Sequence, residues 1–143
     1  MRDLMNNVHA RRVLSPVSSA DDTPLVGQII DRQGYDSLTY LIALGSIGDA
    51  NVTFVVLLEE SDDSGMSGAN AVADADLLGT EILAGFQFDD DNEPRKLGYV
   101  GSKRYTRLTI TPTGNSGTPS AALLGALALL GHASLKPTIN PPA

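Results

Sequence analysis

The chain has 143 residues, 17 acidic and ten basic, a formal net charge of -7, no cysteine and no tryptophan. Its length favours one domain. The missing cysteines exclude disulfides, thiolate nucleophiles and Cys-ligated zinc. No apolar run reaches the roughly 18 residues of a membrane span. The basic N-terminus lacks the apolar stretch of a signal peptide.

Residues 1–24 show no periodic apolar face. They carry Arg2, Arg11 and Arg12 and are broken by Ser15-Pro16 and Pro24, which reads as an extended arm outside the core. Residues 25–31 read as a strand. In residues 37–47, Leu38, Tyr40, Ile42 and Leu44 share one parity, the mark of a half-buried strand. In residues 51–59, Val52, Phe54 and Val56 do the same, and the apolar run from Val55 to Leu58 suggests that both faces become covered. Residues 60–70 form a polar loop. Residues 71–78 read as one short helix or an extended segment, with propensity weakly favouring the helix, and 79–88 is expected to return as a strand. Asp89-Asp90-Asp91-Asn92-Glu93-Pro94 is a turn. Residues 95–100 and 103–111 are expected to pair as a hairpin about Gly101-Ser102. In the second of these, Arg104, Thr106, Leu108 and Ile110 fall on one face, and Lys103, Tyr105, Arg107, Thr109 and Thr111 on the other. Residues 112–119 form a loop. Residues 121–130 have helical composition, but Gly125, Gly131 and the preceding strands point to a final strand. Residues 137–143 are a Pro-rich tail. The domain is therefore placed at 25–136.

Little here points to catalysis. His9 and His132 fall in the arm and near the tail, and no Gly-x-Ser-x-Gly is present. The carboxylate pairs lie in loops rather than in a cleft that would shift their pKa values. Asp62-Asp63-Ser64-Gly65 and Asp89–Asn92 offer oxygen ligands for Ca²⁺ but lack EF-hand spacing. No phosphate-binding glycine loop occurs. The expectation is a non-enzyme without cofactor or metal.

Charge is segregated. All 17 acids precede residue 94, together with four of the ten bases; the other six bases follow it. An acidic chain with a basic end is a poor general nucleic-acid binder but suits a protein partner or copies of itself. Arg2, Arg11, Arg12, Lys103 and Arg107 are the candidate partner-binding residues. The basic residues Lys103, Arg104 and Arg107 are expected to meet carboxylates of this chain or of a neighbour.

Five segments carry a resemblance: Thr23-Pro-Leu-Val-Gly-Gln-Ile-Ile-Asp-Arg-Gln-Gly-Tyr-Asp-Ser-Leu-Thr, Phe54-Val-Val-Leu-Leu-Glu-Glu-Ser-Asp-Asp, Ala73-Asp-Ala-Asp-Leu-Leu-Gly-Thr, Lys96-Leu-Gly-Tyr-Val-Gly-Ser-Lys-Arg-Tyr-Thr-Arg-Leu and Ala128-Leu-Leu-Gly-His. In this order the chain resembles small structural proteins encoded in the head-gene region of tailed bacteriophages and prophages. The resemblance implies an all-β, antiparallel sandwich of jelly-roll type. It also implies a virion structural role, foremost a capsid decoration (cement) protein on the outer surface of the head. The partners would be the major capsid protein and neighbouring copies of itself in a homo-oligomer, with no nucleic acid and no membrane. A head–tail connector or tail protein is the alternative within virions, and a carbohydrate-binding jelly-roll module the alternative from another class.

Overall fold

A computed structural model describes residues 2–142. Eleven strands run in chain order: β1 (Val8–Ser19), β2 (Leu25–Val26), β3 (Ile30–Asp31), β4 (Tyr35–Leu44), β5 (Thr53–Ser61), β6 (Asn70–Ala71), β7 (Leu77–Leu78), β8 (Phe86–Gln87), β9 (Pro94–Tyr99), β10 (Tyr105–Thr113) and β11 (Ala122–Ala133), with one short helix, α1 (Glu81–Ala84), between β7 and β8. They form two antiparallel sheets. One has the order β1-β11-β4-β9-β7. The other has the order β2-β10-β5-β6, with β3 added on β10 and β8 on β5. From β4 onward the successive long strands β4, β5, β9, β10 and β11 alternate between the sheets, which face each other as an antiparallel β-sandwich.

The core follows the alternation in the sequence. Leu38, Tyr40, Ile42 and Leu44 of β4 and Leu124, Ala126, Ala128 and Leu130 of β11 point inward, against Phe54, Val56 and Leu58 of β5 and Leu108 and Ile110 of β10. Phe54 stacks on Phe86 with ring centroids 4.6 Å apart. At the centre the Tyr40 hydroxyl of one sheet and the Thr106 hydroxyl of the other meet at 2.7 Å, both wholly buried. Each satisfies the other where no water reaches.

Five local expectations are corrected. Residues 1–24 do not stand off as an arm: half of them form β1, an edge strand paired with β11 along its length. Two register irregularities, between Arg12 and Leu14 and between Leu14 and Val17, hide its alternation, and Pro16 sits beside the second, as edge strands allow. Residues 95–111 are not a hairpin, because β9 pairs with β4 while β10 pairs with β5; the connection carries the chain between sheets. Residues 71–78 form β6, a single 3-10 turn and β7 rather than a helix. Residues 79–88 are interrupted by α1, whose Thr80 side chain caps the Leu83 amide at 3.1 Å. Finally, β5 is covered on one face only: Val55 and Leu57 are exposed.

Two features close the ends of the sandwich. Gly27 donates to the Leu108 carbonyl at 2.8 Å and Gln28 to the Val13 carbonyl at 2.9 Å, so this segment ties β10 of one sheet to β1 of the other. A side chain on Gly27 would lie 2.5 Å from the Leu108 oxygen, which explains the glycine. Thr138, in the Pro-rich tail, donates through its amide to Asn6 and through its hydroxyl to Val8. The tail thus docks beside β1.

Candidate interaction surface

Lys103, Arg104 and Arg107 all find carboxylates within the chain. The Lys103 ammonium lies 2.5 Å from Asp62, Arg104 makes two hydrogen bonds to Asp31 at 2.8 and 2.9 Å, and Arg107 reaches Glu59 at 2.8 Å. Glu59 stands directly opposite Arg107 in the β5–β10 register, the placement in which opposite charges stabilise a sheet. Arg104 precedes β10 and is exposed, so its assignment to the inward face is corrected. The Arg104 guanidinium, bonded to Asp31, holds that carboxyl below its ordinary range; the hydrogen bond from Lys103 does the same for Asp62, and Asp62 in turn raises Lys103.

These pairs buttress the connection between β9 and β10. Tyr99 of the five-stranded sheet donates to Glu60 of β5 across the sandwich and accepts the Lys103 amide at 3.0 Å. Burial, reinforced by Glu60, raises the Tyr99 phenol well above its ordinary value. The Arg32 guanidinium lies 4.8 Å over the Tyr99 ring. Gly101 lies so close that a side chain there would strike the Tyr99 hydroxyl. Lys103 and Arg107, expected to face a partner, are thus engaged in the fold. Arg2, Arg11 and Arg12 are exposed, and among the described residues none of them makes an ion pair. Arg12 donates to the Ser15 hydroxyl at 2.5 Å.

The groups that suggested chemistry are dispersed. His9 is buried in β1, stacked on Tyr35, with neither ring nitrogen hydrogen-bonded; desolvation and then Arg11 lower its pKa. His132 Nδ1 meets the Ser37 hydroxyl at 2.9 Å on the exposed end of the five-stranded sheet. Among the described residues no carboxylate is hydrogen-bonded to its other nitrogen, so the pair lacks the orienting group of a triad. Asp63 turns inward to its own loop, accepting the Gly65 and Ser67 amides. Asp49, missed in the sequence, is buried and accepts the Ser116 amide and hydroxyl and the Asn51 amide; those bonds, led by Ser116, hold it below the ordinary carboxylate range. Among the described residues no group of three or more His, Asp or Glu side chains is placed to hold a metal ion, and no helix is long and apolar enough to cross a membrane.

The feature that stands out is the outer face of the five-stranded sheet. Paired residues share a face, so the register lays it out in rows. One row is Ala10, Leu129, Thr39, Gly98 and Leu78; the next is Arg12, Leu127, Leu41 and Lys96; then come Gly125, Ala43 and Pro94, and Ser18 beside Leu123. Leu123 and Leu127 are 48% and 46% exposed. The only charges in these rows are Arg12 and Lys96, which bracket Leu127 and Leu41 about 14 Å apart by strand spacing. The rows span about 19 Å by 20 Å at most, under roughly 400 Å² in plane at ordinary strand spacing and rise. That is within the range of the largest apolar patch on a typical monomer, which is often functional. At the β7 edge a groove of about 590 Å³ is lined by Leu78, Leu83, Thr39, Lys96 and Gly98.

No protein-family model and no curated protein matches the chain. Solved structures similar to it include the CBM22-1–GH10 modules of a Clostridium thermocellum xylanase complexed with xylohexaose (11% identity, 95% of this chain and 28% of that one, TM-score 0.46). Others are a family two carbohydrate esterase from Cellvibrio japonicus (12%, 94% and 34%, 0.37) and the Eiger TNF of S. frugiperda (12%, 96% and 98%, 0.36). The chain spans about a third or less of the first two.

Proposed function

We propose that this protein is a structural subunit that works by docking its five-stranded sheet on other protein surfaces, and that its setting is the virion of a tailed phage, as a decoration protein of the head. The observation that carries the docking role is the leucine-lined outer face bracketed by Arg12 and Lys96. Covering the exposed parts of Leu123 and Leu127 alone offers about 1–3 kcal/mol, and such a face in water favours a partner. The virion setting rests on the sequence resemblance. The jelly-roll reading is supported by the alternation of strands between sheets, β1-β11-β4-β9 in one and β2-β10-β5-β6 in the other. Arg2, Arg11 and Arg12 remain as contact residues at the β1 edge; Lys103 and Arg107 act indirectly, by holding the fold.

Sugar recognition, the alternative from another class, draws on exposed aromatic platforms. Here Tyr40 and Tyr99 are buried and Tyr35 and Tyr105 half-buried. Cryo-electron microscopy of particles carrying this chain tests the proposal. Copies in the hundreds on the outer shell are expected, by the symmetry of such lattices. About six to twelve copies at one vertex would instead indicate a connector. Absence from particles, with glycan binding that Tyr105→Ala removes, would replace the proposal with a sugar-binding module.

A further inference from the structure

The two edges of the five-stranded sheet differ in charge. At one edge, β1 carries His9, Arg11 and Arg12 and no acid. At the other, the segment from Asp74 to Glu93 runs from β7 through α1 to β8, which pairs with β5 of the second sheet, and carries seven acids; Arg95 of β9 pairs with two of them, Asp90 at 2.5 Å and Glu93 at 2.9 Å, and the segment stays net acidic. This acidic edge also holds the chain's most exposed large apolar side chain among the described residues, Ile82 of α1, 90% exposed, with Leu83 at 72% and Leu78 at 61%. Two apolar features therefore lack a partner inside the fold. One is a projecting corner on the net-acidic segment, with Arg95 and Lys96 lining the groove beside Leu78 and Leu83. The other is a flat leucine face beside arginines.

We infer that these two features are partners in different copies: the Leu78/Ile82/Leu83 corner of one copy docks on the Leu123/Leu127/Leu129 half of the next copy's outer face, beside its Arg12. This rests on, and deepens, the docking role proposed above. Charge complementarity selects a second copy as the occupant. Packing the face symmetrically on itself in register, with strands aligned, places Arg12 over Arg12 or over Lys96, like against like. The acidic corner on the basic edge brings opposite signs together and covers both apolar features in one contact. Glu81 leaves the corner rigid, because its carboxylate accepts the Leu58 amide at 2.6 Å and fixes α1 to the edge of β5. The face, under roughly 400 Å² in plane, supplies about half of the ~800 Å² per partner of a standard interface, which fits a weak, concentration-dependent contact. The contact is heterologous, so a pair of copies keeps one free corner and one free face. Repetition yields a closed ring or an open row rather than an isolated dimer.

Complementation of two variants tests this. Leu127→Glu disables the face; Ile82→Ser with Leu83→Ser disables the corner. All three positions are solvent-exposed, and unchanged melting temperatures verify folding. In sedimentation velocity the wild-type chain should associate beyond a dimer as its concentration rises. Each variant alone should stay monomeric, and an equimolar mixture should form a 1:1 complex and nothing larger. Arg12→Glu should weaken wild-type association by about two- to fivefold, as loss of an exposed ion pair does, and raised salt should act the same way. A wild-type chain that stays monomeric, association that survives either variant, or a mixture that stays monomeric overturns the inference. If copies fail to associate yet occupy phage heads, this inference falls and the proposed function stands; if they associate as described but no particle carries them, the reverse holds.

Discussion

His9 is a buried base without a hydrogen bond, and its position predicts a specific loss of stability in mild acid. It is 2% exposed, sits on the inward side of β1 opposite Leu130, and stacks on Tyr35 with ring centroids 5.6 Å apart. Burial first, and Arg11 second, hold its pKa below the ordinary 6.5. The folded protein therefore keeps His9 neutral where the unfolded chain takes up a proton. More protons on the unfolded state means stability that rises with pH. The contribution is complete above about pH 6.5 and is lost as pH falls from there toward the folded pKa. The limiting slope is about 1.4 kcal/mol per pH unit, so moving from pH 7 to pH 5 costs up to about 2 kcal/mol. The carboxylates act lower: Asp31, Asp49 and Asp62 have folded pKa values depressed below 3.8, and their contribution disappears only as pH falls through those values. Denaturant unfolding at pH 7 and pH 5 should show the upper step in the wild-type chain and its absence in His9→Phe. Filling the site with an apolar ring also removes two unpaired buried nitrogens, so His9→Phe should be more stable at pH 7 by about 1–3 kcal/mol. Equal pH dependence in the two proteins, or a His9 that titrates near 6.5 by NMR, would refute the reasoning.

Tyr40→Phe and Thr106→Val should each cost about 1–3 kcal/mol by orphaning the other hydroxyl, about 3 °C per kcal/mol for a chain of this size. The double variant should cost less than either sum, and strict additivity in the thermal melts would remove the inter-sheet bond. Gly27→Ala should destabilise by about 1–3 kcal/mol, because its methyl meets the Leu108 oxygen; an unchanged denaturation midpoint would contradict that close approach. Arg104→Ala should change stability by at most about 1 kcal/mol, its pair with Asp31 being exposed, with Arg107→Ala the costlier of the two because Arg107 and Glu59 are more enclosed. The reverse order in chemical melts would contradict the pairing. Deleting residues 1–19 should abolish folding, since β11 would lose its neighbour and Val13 its place in the core; a truncated chain that melts like the full one would show β1 to be dispensable.

Alternation made the long strands legible, and its failures have physical causes. In β4, β5 and β10 the inward parity is apolar over five to seven residues, so the buried face follows from the sequence, while β11 reads as a strand from its glycines and its place after the other strands. In β1 the same signal is cut by two irregularities and a proline, so twelve residues of edge strand resemble a loose arm. The supposed hairpin about Gly101-Ser102 failed because a short connection does not say which strand its flanks pair with. That choice is made by non-local register, Leu38 with Tyr99 and Tyr105 with Ser61. The same limit governs the site. That basic residues near 103–107 must meet carboxylates was visible in the charge segregation, but their partners, 41 to 73 residues distant, become adjacent only when the sandwich closes. Once they are paired inside the fold, they have little charge left to offer a partner. The proposed docking face uses residues that alternation alone does not single out: Leu123, Leu127 and Leu129 share a parity opposite to Leu124 and Leu130. A strand apolar on both faces, in a sheet that covers only one of them, is itself the signal of a surface made to be covered.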